Sequence, residues 1–396
     1  MPAAIVIGFT SLFMGFQPIT TDLYLPALPM LTADLAASMP QAQLTLSALL
    51  LCFGISQLIW GPVSDKYGRR PVLISGLALY VVASVASAFA ANMDALIFWR
   101  ACQGAAMGAP VMCARAMARD LYAPEEAAKV VSKGLSGLGV IAVLCVPIGS
   151  VVSSFLGWRF ALAALGVYAA ITLTFVLLKF EETNRRRNAA ALEPAILLST
   201  WRAILMHPQF WTYALLALTS YCGLFVFLAS SPFIFLQVLG QPKWVFSVIM
   251  MCISMVYIAG TFLGRRVLSK HGVQRMIRIG GWITLSSCIM YGAVLLAAPG
   301  NVIAFVICHM VFMLGHGFHQ PVGQSGSAAA FPKAAGAASA MAGFLMMIGA
   351  FATGSVLGPS MDGSVRPMVL GIMFWGLMIV MVAWTLVPRY GKLSKT

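Results

Sequence analysis

Apolar stretches of about 20 residues, the length of helix that crosses a bilayer, recur along this chain from one end to the other. They fall at 3–31, 42–64, 71–91, 94–117, 130–153, 159–179, 209–238, 244–264, 276–298, 301–322, 336–358 and 367–388. Hydrophobic residues make up 60% of the 396 positions and charged residues only 9%, where a soluble domain carries roughly 25% charged residues. The spacing predicts an all-α polytopic membrane protein with twelve transmembrane helices.

A net charge of +14 could suggest a nucleic-acid partner. Its distribution gives another explanation. With the N-terminus in the cytoplasm, the basic residues between spans, among them Arg185, Arg186, Lys392 and Lys395, fall on the inner side. Only Arg159, Lys243 and Arg366 fall outside. This is the positive-inside bias of membrane proteins, with both termini cytoplasmic and no nucleic acid required. The first span begins almost at Met1 without a basic n-region or a cleavage site, so a retained helix is expected rather than a signal peptide. The eight cysteines all lie within spans and include no Cys-x-x-Cys pair, so neither a disulfide framework nor a zinc site is expected.

The longest polar interval, 181–208, separates two sets of six spans. The expected organisation is an N-terminal bundle over 1–183, a cytoplasmic linker over 184–206 with some amphipathic helix near Trp201, and a C-terminal bundle over 207–396. The halves echo each other. "GPVSDKYGRRP" follows the second span and "RRVLSKHGVQR" the eighth, and Lys66 with Gly68 align with Lys270 and Gly272 at an offset of 204. Parallel six-helix repeats of this kind build large secondary transporters.

The stretch Gly61-Pro-Val-Ser-Asp65-Lys-Tyr-Gly68-Arg69-Arg70 carries the most particular spacing. A tight turn between helices needs glycine where φ is positive, and the arginines hold the turn on the inner side. This stretch resembles the signature loop between helices 2 and 3 of the major facilitator superfamily, and the resemblance extends over essentially the whole chain. "TDLYLPALP" at 21–29 and "FPKAAGAASAMAGFL" at 331–345 further resemble the Bcr/CflA branch of drug–proton antiporters, whose founding activities are bicyclomycin and chloramphenicol resistance. The resemblance implies that Asp65 helps latch the two halves and that Arg69 pairs with Asp120, the acid ending helix 4. Gly61, Gly68 and Arg70 complete that candidate latch.

Span 4 places Arg100, Gln103, Gly104, Met107 and Gly108 on one helical face. An arginine in an apolar span is costly unless it faces a partner or water; the bland reading is snorkelling to the headgroups. The pattern is similar to the superfamily's Arg-x2-Gln-Gly motif, which implies a role in proton coupling. Asp22 is the sole acid in the interior of a span. A low dielectric disfavours its ionised form and a nearby cation such as Arg100 favours it, and a carboxylate balanced between the two can take up and release a proton. A purely structural pairing with Arg100 is the alternative. Pro26 and Pro29 remove helix donors just beyond and can kink the helix. The resemblance to Asp-x3-Pro in related antiporters implies a proton carrier, although Met14 stands where some of them hold a second acid.

In the fifth span Gly139, Pro147 and Gly149 permit close helix packing, but Val146 and the early Gly149 depart from the antiporter signature. His309, His316 and His319 in the tenth span have no acid nearby in sequence to complete a metal site. They read mainly as helix–helix hydrogen-bonding groups, with His316 a candidate cavity residue. Twenty-four methionines and 24 phenylalanines suit lipid-facing and packing roles. Tyr24, Gln103, Met107, Tyr221, Phe225 and His316 are the candidate substrate contacts.

The expected function is proton-driven export of small apolar or amphipathic molecules by alternating access, with a ligand site between the halves. Protons are the coupling ion and no cofactor is needed. By resemblance the chain is placed in a bacterial inner membrane as a monomer. The alternative is proton-coupled uptake of a small metabolite. The spans lack the clustered nucleophile, base or metal set of an enzyme, so no catalytic residue is assigned.

Overall fold

The computed structural model describes residues 1–122, 124–184 and 187–391, without the side chains at 124, 125, 128, 132, 136 and 333. Of the inner basic residues, Arg185, Arg186, Lys392 and Lys395 lie outside the described residues. The described residues are almost wholly helical and contain no strand.

The first apolar span, 3–34, is helix α1 (Ala3–Asp22), a 3-10 turn (Leu25–Ala27) and a short helix α2 (Leu28–Asp34). Pro26 and Pro29 sit at the starts of the second and third pieces. A proline cannot donate the i→i−4 hydrogen bond, so the α-helix stops at Asp22 and the chain tightens before it resumes. Helix α3 (Met39–Tyr67) opens on a capping box in which Ser38 and Gln41 satisfy each other's backbone donors. It ends at Gly68, whose φ of 104° lies where side chains with a Cβ are strained.

Helices α4 (Arg69–Ala88), α5 (Met93–Leu121), α6 (Pro124–Phe155) and α7 (Trp158–Lys179) complete the first set. Helix α8 (Pro194–Leu205) is short and apolar, and the boundary between two compact units, 1–200 and 201–396, falls inside it. The second unit holds α9 (Pro208–Phe233), followed by a π-helical turn (Ile234–Val238), then α10 (Lys243–Ala297), α11 (Val302–Ala329), α12 (Ala335–Ser360) and α13 (Arg366–Tyr390).

Ten helices among the described residues are long and apolar enough to cross a membrane. The longest, α10, has 55 residues and contains the eighth and ninth expected spans, broken at Gly272 with φ 77° and ψ 172°. The fourth expected span is α5, 29 residues long, whose charged ends and Arg100 lower its apolarity. Every expected span is therefore a helix.

In the first unit α1 packs on α5 and α6, α3 on α5, and α4 on α5 and α7. In the second, α9 packs on α11, α12 and α13, and α10 on α11 and α13. Polarity is distributed inside-out. Arg100, Gln103, Thr20, Ser84 and His309 are buried, whereas Phe98, Val151, Leu178, Trp282 and Val356 are exposed. Apolar exteriors of this extent fit lipid rather than water, and the chain is a multi-pass membrane protein.

Candidate functional site

The first unit encloses a positive charge far from its polar turns. Arg100, on α5, is fully buried. Its Nη1 donates to Gln103 Oε1 at 2.8 Å and its Nη2 to the main-chain carbonyl of Thr20 at 2.8 Å. The guanidinium lies over the Tyr24 ring, 4.1 Å from its centre, which is cation–π geometry. Arg100 Nε has no partner. The surrounding groups extend the network to two more helices. Gln103 Nε2 donates to Ser84 Oγ of α4 at 2.7 Å, Tyr24 shares a hydrogen bond with Thr45 of α3 at 3.0 Å, and the Thr20 hydroxyl contacts Tyr80 of α4.

Asp22 is the last residue of α1 and is half-buried. Its Oδ1 accepts from the Thr21 hydroxyl at 2.6 Å. That hydroxyl also lies 2.9 Å from the Gln17 carbonyl, and its single proton serves one acceptor at a time. The Asp22 carboxylate forms no ion pair among the described residues. Sequence reasoning offered a structural pairing with Arg100 as the alternative to proton carriage, but the guanidinium is held by Thr20, Gln103 and Tyr24. Main-chain and amide oxygens at 2.8 Å supply acceptors without a second buried charge.

The chain just past Asp22 is pinned from another side. Gly149 of α6 lies so close to the Leu23 carbonyl that a Cβ there would collide with it. A glycine at this point lets α6 approach the broken end of α1. Gly139 and Pro147 are half-buried further along α6, with Pro147 inside the helix.

The α3–α4 turn is a second polar centre. Arg69 Nη1 contacts Asp65 Oδ1 at 2.6 Å and Ser64 Oγ at 2.6 Å; its Nε meets Asp120 Oδ2 at 3.0 Å. Ser64 donates onward to the Gly61 carbonyl at 2.9 Å. Arg70 is exposed and donates to the Leu177 carbonyl at 3.1 Å.

Sequence reasoning missed the segment after α7. Glu182 Oε1 accepts from the Arg69 backbone N–H at 2.9 Å and Oε2 from that of Arg70 at 3.1 Å. Thr183 Oγ1 donates to Asp120 Oδ2 at 3.1 Å, and Asn184 Nδ2 to the Asp65 carbonyl at 3.1 Å. The available signal was "EETN", two acids and two small polar groups beside the apolar end of α7. Also missed was Asp34, which accepts from Trp158 Nε1 at 2.8 Å and lies 3.9 Å from Arg159.

In the second unit the three histidines go to three different partners. His309 Nδ1 meets the Tyr291 hydroxyl at 3.0 Å and its ring stacks on Phe227 at 3.5 Å; His316 Nδ1 meets Ser220 at 2.8 Å; His319 Nε2 meets the Ile277 carbonyl at 3.3 Å. Tyr221 and Phe225 are buried one turn apart on α9, and Met107 is buried on α5. Of the candidate substrate contacts, Tyr24 and Gln103 are already bonded to the Arg100 network. An open cavity of about 470 Å³ in the first unit is lined by Met1, Arg70, Glu181 and Glu182 among others, and by none of those six candidates.

A multi-pass helical bundle with a buried cation network and a charged inter-helix turn defines a membrane transporter rather than an enzyme. The chain belongs to the Major Facilitator Superfamily, whose sequence profile matches residues 7–354. It is 31% identical over 331 residues to the chloramphenicol resistance protein of Pseudomonas aeruginosa, covering 81% of this chain and 75% of that protein. It is 28% identical over 344 residues to multidrug resistance protein D of Escherichia coli, covering 85% of this chain and 84% of the relative. Among solved structures, a D-xylose–proton symporter superposes with a TM-score of 0.74 over 98% of both chains at 15% identity, a likeness of fold.

Proposed function

We propose that this chain exports small apolar or amphipathic molecules in exchange for protons, with Asp22 as proton carrier and Arg100 as the charge it works against. The observation that carries this reading is a fully buried guanidinium with no carboxylate partner among the described residues, bound two residues before a carboxylate that has no cation among them either. A buried, uncompensated charge is expensive, and intramembrane ionisable groups mark ion pathways. An ionised Asp22 attracts Arg100; a protonated one does not. Proton occupancy therefore biases the choice between the Thr20-bound arrangement and one in which Asp22 takes the guanidinium. Coupling follows when drug and proton differ in affinity for the two states of the transporter.

The relatives named for chloramphenicol and multidrug resistance support the substrate class. Met107, Tyr221, Phe225 and His316 are the contacts assigned to substrate, with protons the coupling ion and no other cofactor. The positive-inside bias supports cytoplasmic termini, and the bacterial relatives support an inner membrane. The protein works as a monomer without nucleic acid.

The test is proton movement in inverted vesicles carrying a pH-sensitive dye, with chloramphenicol added after respiration has acidified the lumen. Proton efflux that disappears in Asp22→Asn supports the reading. Efflux that survives the substitution removes Asp22 from the mechanism. Movement in the opposite sense points to coupled uptake.

A further inference from the structure

The segment Glu182–Asn184 joins three helix ends. Two are adjacent at the α3–α4 turn, and the third, the end of α5, lies about fifty residues further along the chain. The Glu182 carboxylate spans the first two N–H groups of α4, which have no partner within their helix and whose dipole favours an anion. It also accepts from the Asn184 N–H at 2.9 Å, which shapes the segment itself. Thr183, 3% exposed, reaches the same Asp120 oxygen that Arg69 Nε holds. Asn184 and the backbone of Asn188 both bond to the Asp65 carbonyl at the end of α3. Arg69 is therefore fixed twice: its side chain by Asp65, Ser64 and Asp120, its backbone by Glu182.

The second inter-helix turn offers an internal comparison. Gly272 occupies the position equivalent to Gly68 with a similar backbone, yet a Cβ there would meet nothing within 4 Å. At Gly68 a Cβ would run into the Glu182 carboxylate. Among the described residues, the close-fitting acid is found at the first turn alone.

We infer that Glu182–Asn184 is a strap that positions Arg69 against Asp120, so that the α3–α4 turn and the end of α5 move as one piece during transport, with Glu182 as its principal positioning residue. The strap is also where the segment joining the two units begins, so the latch and that segment share an anchor. The idea rests on the transporter reading only for its effect on turnover.

The experiment is hydrogen exchange by mass spectrometry on the full chain in lipid nanodiscs, for wild type, Glu182→Gln and Thr183→Val, with turnover and KM from the vesicle assay. Losing charge-assisted hydrogen bonds should speed exchange about tenfold or more in Glu182→Gln. The acceleration should appear both at the start of α4 and at the end of α5 around Asp120. Thr183→Val, which leaves the α4 contacts in place, should loosen the same two regions, and in both variants turnover should fall severalfold with KM unchanged. A simple helix cap would confine the change to α4 and leave Thr183→Val like wild type; that result overturns the strap, as does unchanged turnover in both variants alongside normal drug-linked proton movement in wild type. If wild type moves no protons on drug addition, the export reading fails and the exchange pattern alone decides the strap.

Discussion

Arg100 Nη2 donates to the main-chain carbonyl of Thr20 at 2.8 Å, two residues before the Asp22 carboxylate. An arginine thus holds the helix that carries the acid without touching the acid. The guanidinium's fork and its stacking on Tyr24 define what a substitute must reproduce. Lysine cannot reproduce either, so Arg100→Lys should cut drug-linked proton movement by about tenfold or more, a loss of roughly 1.4 kcal/mol or more. Arg100→Leu should abolish coupling while changing the melting temperature only modestly. Leaving the Thr20 carbonyl without its donor costs about 1–3 kcal/mol, which removal of a fully buried charge offsets. A melting temperature that falls steeply in Arg100→Leu, measured on detergent-purified protein, would show that the contact is chiefly structural.

Thr21 supplies the hydroxyl on Asp22. Thr21→Val keeps the shape and removes the donor, so turnover in the vesicle assay should fall severalfold, and Thr21→Ser, which restores the hydroxyl, should recover it. Equal turnover in all three proteins would detach Thr21 from the proton step.

Proton-linked turnover should depend on pH in wild type and lose that dependence in Asp22→Asn. With export driven by a drug gradient alone, across a series of buffers, the wild-type rate should vary while the variant's stays flat. A variant profile that tracks the wild type would move proton binding elsewhere, with the histidines of α11 next in line.

Gly149 faces the Leu23 carbonyl, and backbone cannot step aside as a flexible side chain can. Gly149→Ala should destabilise by about 1–3 kcal/mol through overpacking. Gly8→Ala, in open space on α1, should be neutral or slightly stabilising because alanine is the better helix former. Thermal unfolding of the two variants side by side checks the contrast.

Gly68 and Gly272 make a matched pair. Both adopt positive φ, with ψ of 163° and 172°, a region that costs an alanine about 1–3 kcal/mol, but only Gly68 also abuts Glu182. Gly68→Ala should lower the melting temperature further than Gly272→Ala, and in a Glu182→Ala background the two should be equal. A gap that persists in that background would place the difference elsewhere.

The twelve spans were legible because bilayer thickness fixes helix length and the loops betray themselves by charge. Asp22 and Arg100 stood out for the same reason, as charges in apolar runs. Their actual partners were not legible. The Thr20 carbonyl is 80 residues from Arg100 and leaves no trace in the side-chain sequence. Glu182 was hidden differently: beside "RRR" it reads as one more linker charge, and only the folded chain brings it to helix α4. The match between Gly68 and Gly272 was visible as a weak echo, because a positive φ demands glycine wherever it occurs.

The end of α1 has one more consequence. Because the helix stops at Asp22, the Thr20 carbonyl has no N–H of its own helix to accept from, and Arg100 serves as its cap. Any excursion of the guanidinium toward Asp22 strips that carbonyl of its donor in a water-poor interior, at about 1–3 kcal/mol. The contact behaves as a restoring spring: the attraction of an ionised Asp22 must exceed its stiffness before the arginine moves, and once the acid is neutralised the spring returns it.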